Sequence, residues 1–244
     1  MHDIQRLFAV LDATWPAART HAHGPWTIRC GQDGGQRVSA AIGRPGIDTS
    51  QISSADIAEA VQQMHNLGQH PIFQIRPEQD QKLDDKLDEM GFAVRDPVLF
   101  YQIPLAELAQ GKPVPVVQIW PPLAMACDIW QTAGIGAGRQ AVMARAQGPK
   151  TVFLARKEDR PAGATFAAID ADIAMLHAIE VPEYARRKGA GRDMLHAAAD
   201  WALANGATDL ALVVTRANLA ARALYDSLHM IPSGGYHYRV ARPQ

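Results

Sequence analysis

The stretch that decides how this chain folds is Val181-Pro182-Glu183-Tyr184-Ala185-Arg186-Arg187-Lys188-Gly189-Ala190-Gly191-Arg192. An apolar, strand-like run from Ile173 to Val181 enters it, and an alanine-rich helical run from Asp193 to Asn205 leaves it. Gly189 and Gly191 stand among the cations Arg186, Arg187, Lys188 and Arg192. A glycine-rich turn opening a helix presents backbone N–H groups that have no intrahelical acceptor, at the positive end of the helix dipole. Strand, turn and helix in that order predict an α/β fold and a site for a phosphate or pyrophosphate.

Other phosphate loops fit less well. Met194 stands where a dinucleotide fingerprint needs its third glycine, and the Gly-Lys-Ser/Thr of a P-loop is absent. Gly134-Ile135-Gly136-Ala137-Gly138 is richer in glycine but follows a helical run, so it reads as a connection between helices or a loop over a site. No G-x-S-x-G, H-E-x-x-H or Ser/His/Asp ordering is present.

Outward from the loop, the second half reads as a strand at Val114–Ile119, helices near Leu123–Thr132 and Ala137–Ala146, and strands at Thr151–Arg156 and Gly163–Ile169. Asp170-Ala171-Asp172 makes a hairpin turn into the core strand. After the loop and its helix come a strand at Leu210–Thr215, a helix at Leu219–Leu228 and a strand near Tyr236–Val240. Leu210 to Val214 is apolar without alternation, as expected of a strand buried on both faces.

The first half opens with a short helix, Ile4, Leu7, Phe8 and Leu11 on one face, stopped near Pro16. Trp26–Arg29 and Gln36–Ile42 flank Gly31–Gly35 and predict an antiparallel strand pair. A helix from about Ala55 to Leu67 follows, with Ser53 and Asp56 as a capping box and Gly68 as its stop. Then come a strand at Pro71–Ile75, an acidic helix striped by Leu83, Leu87 and Met90, and a strand at Val98–Ile103. His21 and His23 form an H-x-H, read as a solvated loop rather than a metal site. Ala109–Pro113 reads as the linker between halves.

At 244 residues, 48% apolar and 20% charged, the chain holds one large domain or two small ones. A formal net charge of -1 argues against a nucleic-acid or membrane-surface partner. Cys30 and Cys127 are read as free thiols of a reducing compartment. No apolar leader follows Met1 and no run approaches the roughly 18 apolar residues of a membrane span. A soluble cytoplasmic chain is expected.

Arg186-Arg187-Lys188-Gly189-Ala190-Gly191 resembles the acetyl-CoA-binding signature of the GNAT acyltransferases, R/Q-x-x-G-x-G/A between a strand and a helix. A second element of that family follows in order: Asn218-Leu219-Ala220-Ala221-Arg222-Ala223-Leu224-Tyr225, the N-x-x-A-x-x-L-Y pattern. The resemblance spans residues 114–244. The family's usual Gly-Phe after the tyrosine helix is His229-Met230 here. Residues 1–110 resemble the family more weakly, and their counterpart of the phosphate loop, Gly43 to Ser54, has no R-x-x-G-x-G. The resemblance thus implies a mixed, mostly antiparallel GNAT-type sheet flanked by helices, built as a tandem: a degenerate half at 1–110 and a complete acetyl-CoA-binding domain at 114–244.

It also implies a site. The pyrophosphate of acetyl-CoA would lie on the backbone N–H groups of residues 187–192, within the set Arg186, Arg187, Lys188, Gly189, Ala190, Gly191 and Arg192. Pantetheine would pair with Ile179 and Val181, beside Glu180, where the core strand splays from Leu210–Thr215; Asn218 and Ala221 complete the donor site. Tyr225, seven residues past Asn218 and about two helical turns on, is the expected acid for the leaving thiolate. A backbone N–H of Ile179–Val181 would hold the oxyanion.

For the base, alternation puts Met175, His177, Ile179 and Val181 on one face and Leu176, Ala178 and Glu180 on the other. His177 falls where some amine-acetylating members of the family place a base histidine. Glu180 is nearer the thioester in sequence but on the wrong face, unless a bulge rotates it. His177, Glu180 and a water relay stay open, and His177 also reads as a hydrogen-bonded core residue. The expectation is acetyl transfer from acetyl-CoA, without a metal, to a small-molecule or peptide amine, by a monomer or homodimer. The rival reading is a catalytically silent CoA-binding protein of the same fold.

Overall fold

The computed structural model describes residues 2–241. The chain divides into two compact units, neither of them a single run of sequence. One gathers Met1–Pro16, Phe100–Val214 and Asn218–Ser233; the other gathers Ala17–Leu99, Thr215–Ala217 and Gly234–Gln244.

In the first unit, α1 (Ile4–Thr14) starts on Asp3, whose side chain accepts from the Arg6 N–H, and buries Leu7, Phe8 and Leu11. Each such side chain taken from water contributes about 1.5–3 kcal/mol. The helix packs on β8 (Arg160–Asp170) and β9 (Ile173–Glu180), and Phe8 meets Phe100 edge-on at 5.1 Å. β6 (Val116–Ile119), β7 (Lys150–Lys157), β8 and β9 run antiparallel to their neighbours in that order. β10 (Asp209–Thr215) joins β9 in parallel, and the end of β5 (Phe92–Pro104), which leads into the one-turn helix α5 (Leu105–Leu108), lies beyond it. The parallel pair needs a crossover, supplied by α8 (Ala190–Ala204), which buries Met194, Leu195, Ala198 and Ala202. α6 (Ala124–Thr132) and α7 (Ala137–Arg145) follow β6, and α9 (Leu219–Ser227) follows β10.

In the second unit, β1 (Arg19–His23), β2 (Trp26–Cys30) and β3 (Ile42–Gly43) form a small antiparallel sheet. This corrects the expected pair: Gln36–Ser39 is a single helical turn, α2, and the main partner of Trp26–Cys30 is Arg19–His23. His21 and His23 therefore lie on a strand rather than in a loop, and His23 Nε2 is 3.4 Å from Glu59. α3 (Ser54–Asn66), β4 (Ile72–Ile75) and α4 (Pro77–Glu89) stand where the apolar periodicity places them. Trp26, Ile28, Ile57, Met64, Phe73, Leu83 and Leu87 make the core. Met90, the expected third member of the α4 stripe, is exposed. The later part of β11 (Ile231–Ala241) pairs antiparallel with β4, and Arg239 and His237 both donate to Asp84. Burial would raise the Asp84 carboxyl, but those two partners outweigh it and hold it below its usual range.

Candidate active site

The site in the first unit starts from a fault in β9. Phe166 pairs with His177 and Ala164 with Glu180, so β9 carries one more residue than β8 across this interval. That is a β-bulge. Ala178 sits in it at φ 51, a left-handed conformation costing an L-residue roughly 1–2 kcal/mol. The geometry is held from outside: the buried Trp130 indole N–H donates to the Ala178 carbonyl at 2.8 Å, and Thr165 Oγ1 donates to the His177 carbonyl at 3.0 Å. The extra residue reverses the parity of the strand, so Glu180 comes round to the face of His177. The alternation that put them on opposite faces is corrected by this bulge.

β9 also parts from β10. Their ladder runs from Ile173–Asp209 to Leu176–Leu212 and ends there, while β9 continues to Glu180. His177 to Glu180 thus lie past the last β10 pair, and backbone groups on that edge are open to an extended ligand.

The strand leads into the loop read first in the sequence. Glu183–Ala185 form a 3-10 turn, Arg187 takes φ 63, and Gly189 takes φ 84 at the start of α8 without any side-chain cap. The helix begins at Ala190, three residues earlier than its apolar run alone indicates. Gly191 stands close to α9: a Cβ there would lie 3.0 Å from Leu224 Cδ2, so the leucine would have to give by a few tenths of an ångström. Asp193, the acid of the first turn, is drawn aside by Lys157 Nζ at 2.5 Å. Lys188 pairs with Glu158 at 2.9 Å, and Arg192 donates to Ser227 Oγ at 2.9 Å. The uncapped N–H groups and exposed cations Arg186, Arg187 and Lys188 have the chemistry of a diphosphate seat. Asn218 caps α9, its side-chain oxygen accepting from the Ala221 N–H at 3.1 Å.

Two of the expected acid–base residues, Glu180 and Tyr225, lie near enough for the charge of one to act on the other. Burial pushes the Glu180 carboxyl above its ordinary value, with Arg186 and Arg139 pulling the other way. Tyr225, on α9, is 3% exposed. Burial first, then the Glu180 charge and Tyr101, push its phenol far above its ordinary value, so it keeps its proton at neutral pH. His177 goes elsewhere. It is 3% exposed, its ring lies 4.9 Å from that of Trp15, and its Nε2 is 2.8 Å from Thr14 Oγ1. The Thr14 hydroxyl gives its one hydrogen to the Val10 carbonyl at 2.6 Å, so Nε2 is the donor in this pair.

Beside Glu180 lies a cavity of about 550 Å³. Met125, Asp128, Ile129, Thr132 and Ala133 wall it from α6 and its end; Glu180, Val181, Glu183, Tyr184 and Arg186 wall it from the strand and loop. His177 is not part of this lining. The α6 residues went unread in the sequence, though their i, i+3, i+4, i+7 spacing marks one face of the helix. Among the described residues, no group of three or more His, Cys, Asp or Glu side chains is placed to hold a metal ion, and no helix is long and apolar enough to cross a membrane.

Comparison with known proteins bears on the family and the fold. Residues 117–230 match the family model described as the acetyltransferase (GNAT) family. The uncharacterized N-acetyltransferase YobR of Bacillus subtilis (strain 168) is 27% identical over 259 residues, covering 99% of this chain and 100% of that protein. Among solved structures, a GCN5-related N-acetyltransferase from Kribbella flavida superposes with a TM-score of 0.71 at 17% identity, over 100% of this chain and 98% of that one. A tandem GNAT protein from the clavulanic acid biosynthesis pathway gives a TM-score of 0.60 at 15% identity, over 84% and 76% of the two chains. At such identities the structures speak for the fold.

Proposed function

We propose that this chain, which belongs to the acetyltransferase (GNAT) family through residues 117–230, moves an acetyl group from acetyl-CoA to a primary amine by direct attack in a ternary complex. The observation that carries the reading is the start of α8: a glycine-opened, uncapped, cation-flanked helix at the end of a strand whose ladder has just parted. The backbone N–H groups of residues 187–192 hold the diphosphate. Ile179 and Val181 pair with the pantetheine amides, with Asn218 and Ala221 alongside.

Glu180 takes the proton from the attacking amine. Its position on the cavity wall and its raised pKa support it over His177, whose Nε2 is committed to Thr14. The amine nitrogen bonds to the acetyl carbonyl carbon, the carbon–sulfur bond breaks, and Tyr225 returns a proton to the thiolate. A backbone N–H of the Ile179–Val181 segment holds the oxyanion. No step asks a metal of this chain. Residues 114–244 would form the complete domain and residues 1–110 a degenerate copy that takes no CoA. The free thiols Cys30 and Cys127 support a reducing compartment, the cytoplasm.

The rival, a silent CoA-binding protein, has no use for a buried protonated Tyr225. Thiol release from acetyl-CoA with a panel of primary amines separates the two. Wild type is expected to turn over and Tyr225→Phe to lose about a hundredfold in kcat. Turnover that is unchanged in the variant would remove Tyr225 from the mechanism, and a chain that binds CoA without turning over any amine would be the silent protein.

A further inference from the structure

We infer that Lys157, on the hairpin beside the start of α8, is a ligand of the CoA diphosphate, and that the Asp193 carboxylate competes with the diphosphate for it. The inference rests on the acetyl-CoA reading and adds to it a residue from outside the strand–loop–helix course. Lys157 and Arg160 pair at the end of the β7–β8 hairpin. Glu158 and Asp159 turn it with φ 52 and 57, the left-handed pair that a two-residue hairpin turn calls for. The lysine is thus carried on a strand end of fixed geometry. Its Nζ lies 3.7 Å from the position that a Cβ would take on Gly189, the residue that opens α8.

Asp193 is the competitor. Its N–H donates to the Gly189 carbonyl at 3.0 Å, closing the first turn of α8. A carboxylate in that turn takes up the positive end of the helix dipole, the same end that a diphosphate needs. Asp193 Oδ2 is buried and accepts no aligned hydrogen bond among the described residues; what it has is the charge of Lys157 Nζ at 2.5 Å. The two side chains are 24% and 17% exposed, against 41% and 72% for Lys188 and Glu158 in the neighbouring pair, so Lys157 is the less screened cation of the two. It cancels a charge that would otherwise repel the diphosphate, and exchanging Asp193 for a phosphate oxygen breaks no aligned hydrogen bond. Lys157 and Asp193 therefore act on the donor with opposite signs, which a pair kept only for the fold would not do.

The test titrates CoA and 3′-dephospho-CoA calorimetrically into the full chain, with urea unfolding of each variant alongside. Lys157→Met is expected to weaken CoA binding about thirtyfold, the loss of one charge-assisted hydrogen bond with Asp193 left uncovered. Asp193→Asn is expected to tighten it about threefold while the unfolding midpoint falls. Combining the two substitutions should recover about threefold of the affinity lost in Lys157→Met alone. Dephospho-CoA keeps the diphosphate and lacks the 3′-phosphate, and it should show the same ratios. Asp193→Asn that weakens CoA binding, Lys157→Met that leaves it unchanged, or a Lys157 effect absent with dephospho-CoA would overturn the inference. Should Lys157→Met fail to fold, the sign of the Asp193→Asn effect decides alone. A wild-type chain that binds no CoA would overturn the acetyl-CoA reading together with this inference, whereas wild-type binding that neither substitution moves overturns the inference only.

Discussion

Two helices of this molecule follow a loop and start in opposite ways. α3, which the sequence takes as the counterpart of α8 in the first half, carries its own anion. Ser53 Oγ accepts from the Asp56 N–H at 3.1 Å, and the Asp56 carboxylate accepts from the Ser53 N–H at 2.8 Å. The Ser53 hydroxyl, which donates to the Asp56 carboxylate at 2.6 Å, and then the Ser53 N–H hold that carboxyl below its usual range. α8 begins on Gly189 with no side-chain cap, and its one first-turn acid is turned away to Lys157. A capping box satisfies a helix start from within, which stabilises the helix and closes it to a ligand. A bare glycine start forgoes that stability and leaves the N–H groups for a diphosphate. The difference is a division of labour between structure and binding, written in the first turn of each helix.

The largest effect expected from testing this contrast lies in chemistry that only the α8 side possesses. Glu180→Gln should slow turnover about a thousandfold, whereas Asp56→Asn in the capping box leaves kcat unchanged. The wild-type rate should fall as pH drops through the raised Glu180 pKa, and that acidic limb should vanish in Glu180→Gln. The same shift carries a stability sign. A carboxyl whose pKa is raised in the folded state costs nothing below its unfolded pKa, loses stability as pH rises from there through the folded pKa, and carries the full cost above it. Glu180→Gln should therefore melt higher than wild type near pH 8, with the gain gone below about pH 4. A variant equally stable at both pH values would contradict the burial assigned to Glu180.

Next in size is Gly189→Asp, which gives α8 the kind of start α3 has. KM for acetyl-CoA should rise about a hundredfold, equivalent to one or two charge-assisted hydrogen bonds of about 1.5–3 kcal/mol. Strain adds to the change, because aspartate would have to accept φ 84. Gly189→Ala controls for it, being strained without a carboxylate, and should raise KM far less. Smaller again is Arg186→Ala with Lys188→Ala, expected to raise KM for acetyl-CoA about tenfold and to flatten its salt dependence. The smallest kinetic effect is none at all. Ser53→Ala should cost about 1 kcal/mol in urea unfolding and leave every kinetic constant alone.

Much of the backbone around the candidate donor site was legible because it is local. The glycines and cations lie on one strand–loop–helix course, β9 to α8, and the Asn218–Tyr225 spacing on the next, β10 to α9, and their conformations follow from residue type. The same holds for the Ser53–Asp56 capping box, which the structure contains in full. Three features were not legible. Arg19–His23 has no apolar alternation, since this edge strand is largely exposed, and nothing in it distinguishes strand from loop. Gln36–Ser39 is too short for a helical period to register. The bulge at Ala178 is the costly omission. It turns on one residue, it reverses the face of Glu180, and it is imposed by Trp130 from a helix nearly fifty positions away (48 in sequence). The tertiary contact that sets the face of Glu180 is therefore absent from the strand's own pattern.

Of these two helix starts, α8 alone is expected to grip a CoA diphosphate. Titrating CoA calorimetrically into wild type and into Gly189→Asp tests this directly. One CoA per wild-type chain, with binding lost or weakened about a hundredfold in the variant, is the predicted result. Two CoA molecules per chain, or a variant that binds like wild type, would contradict it.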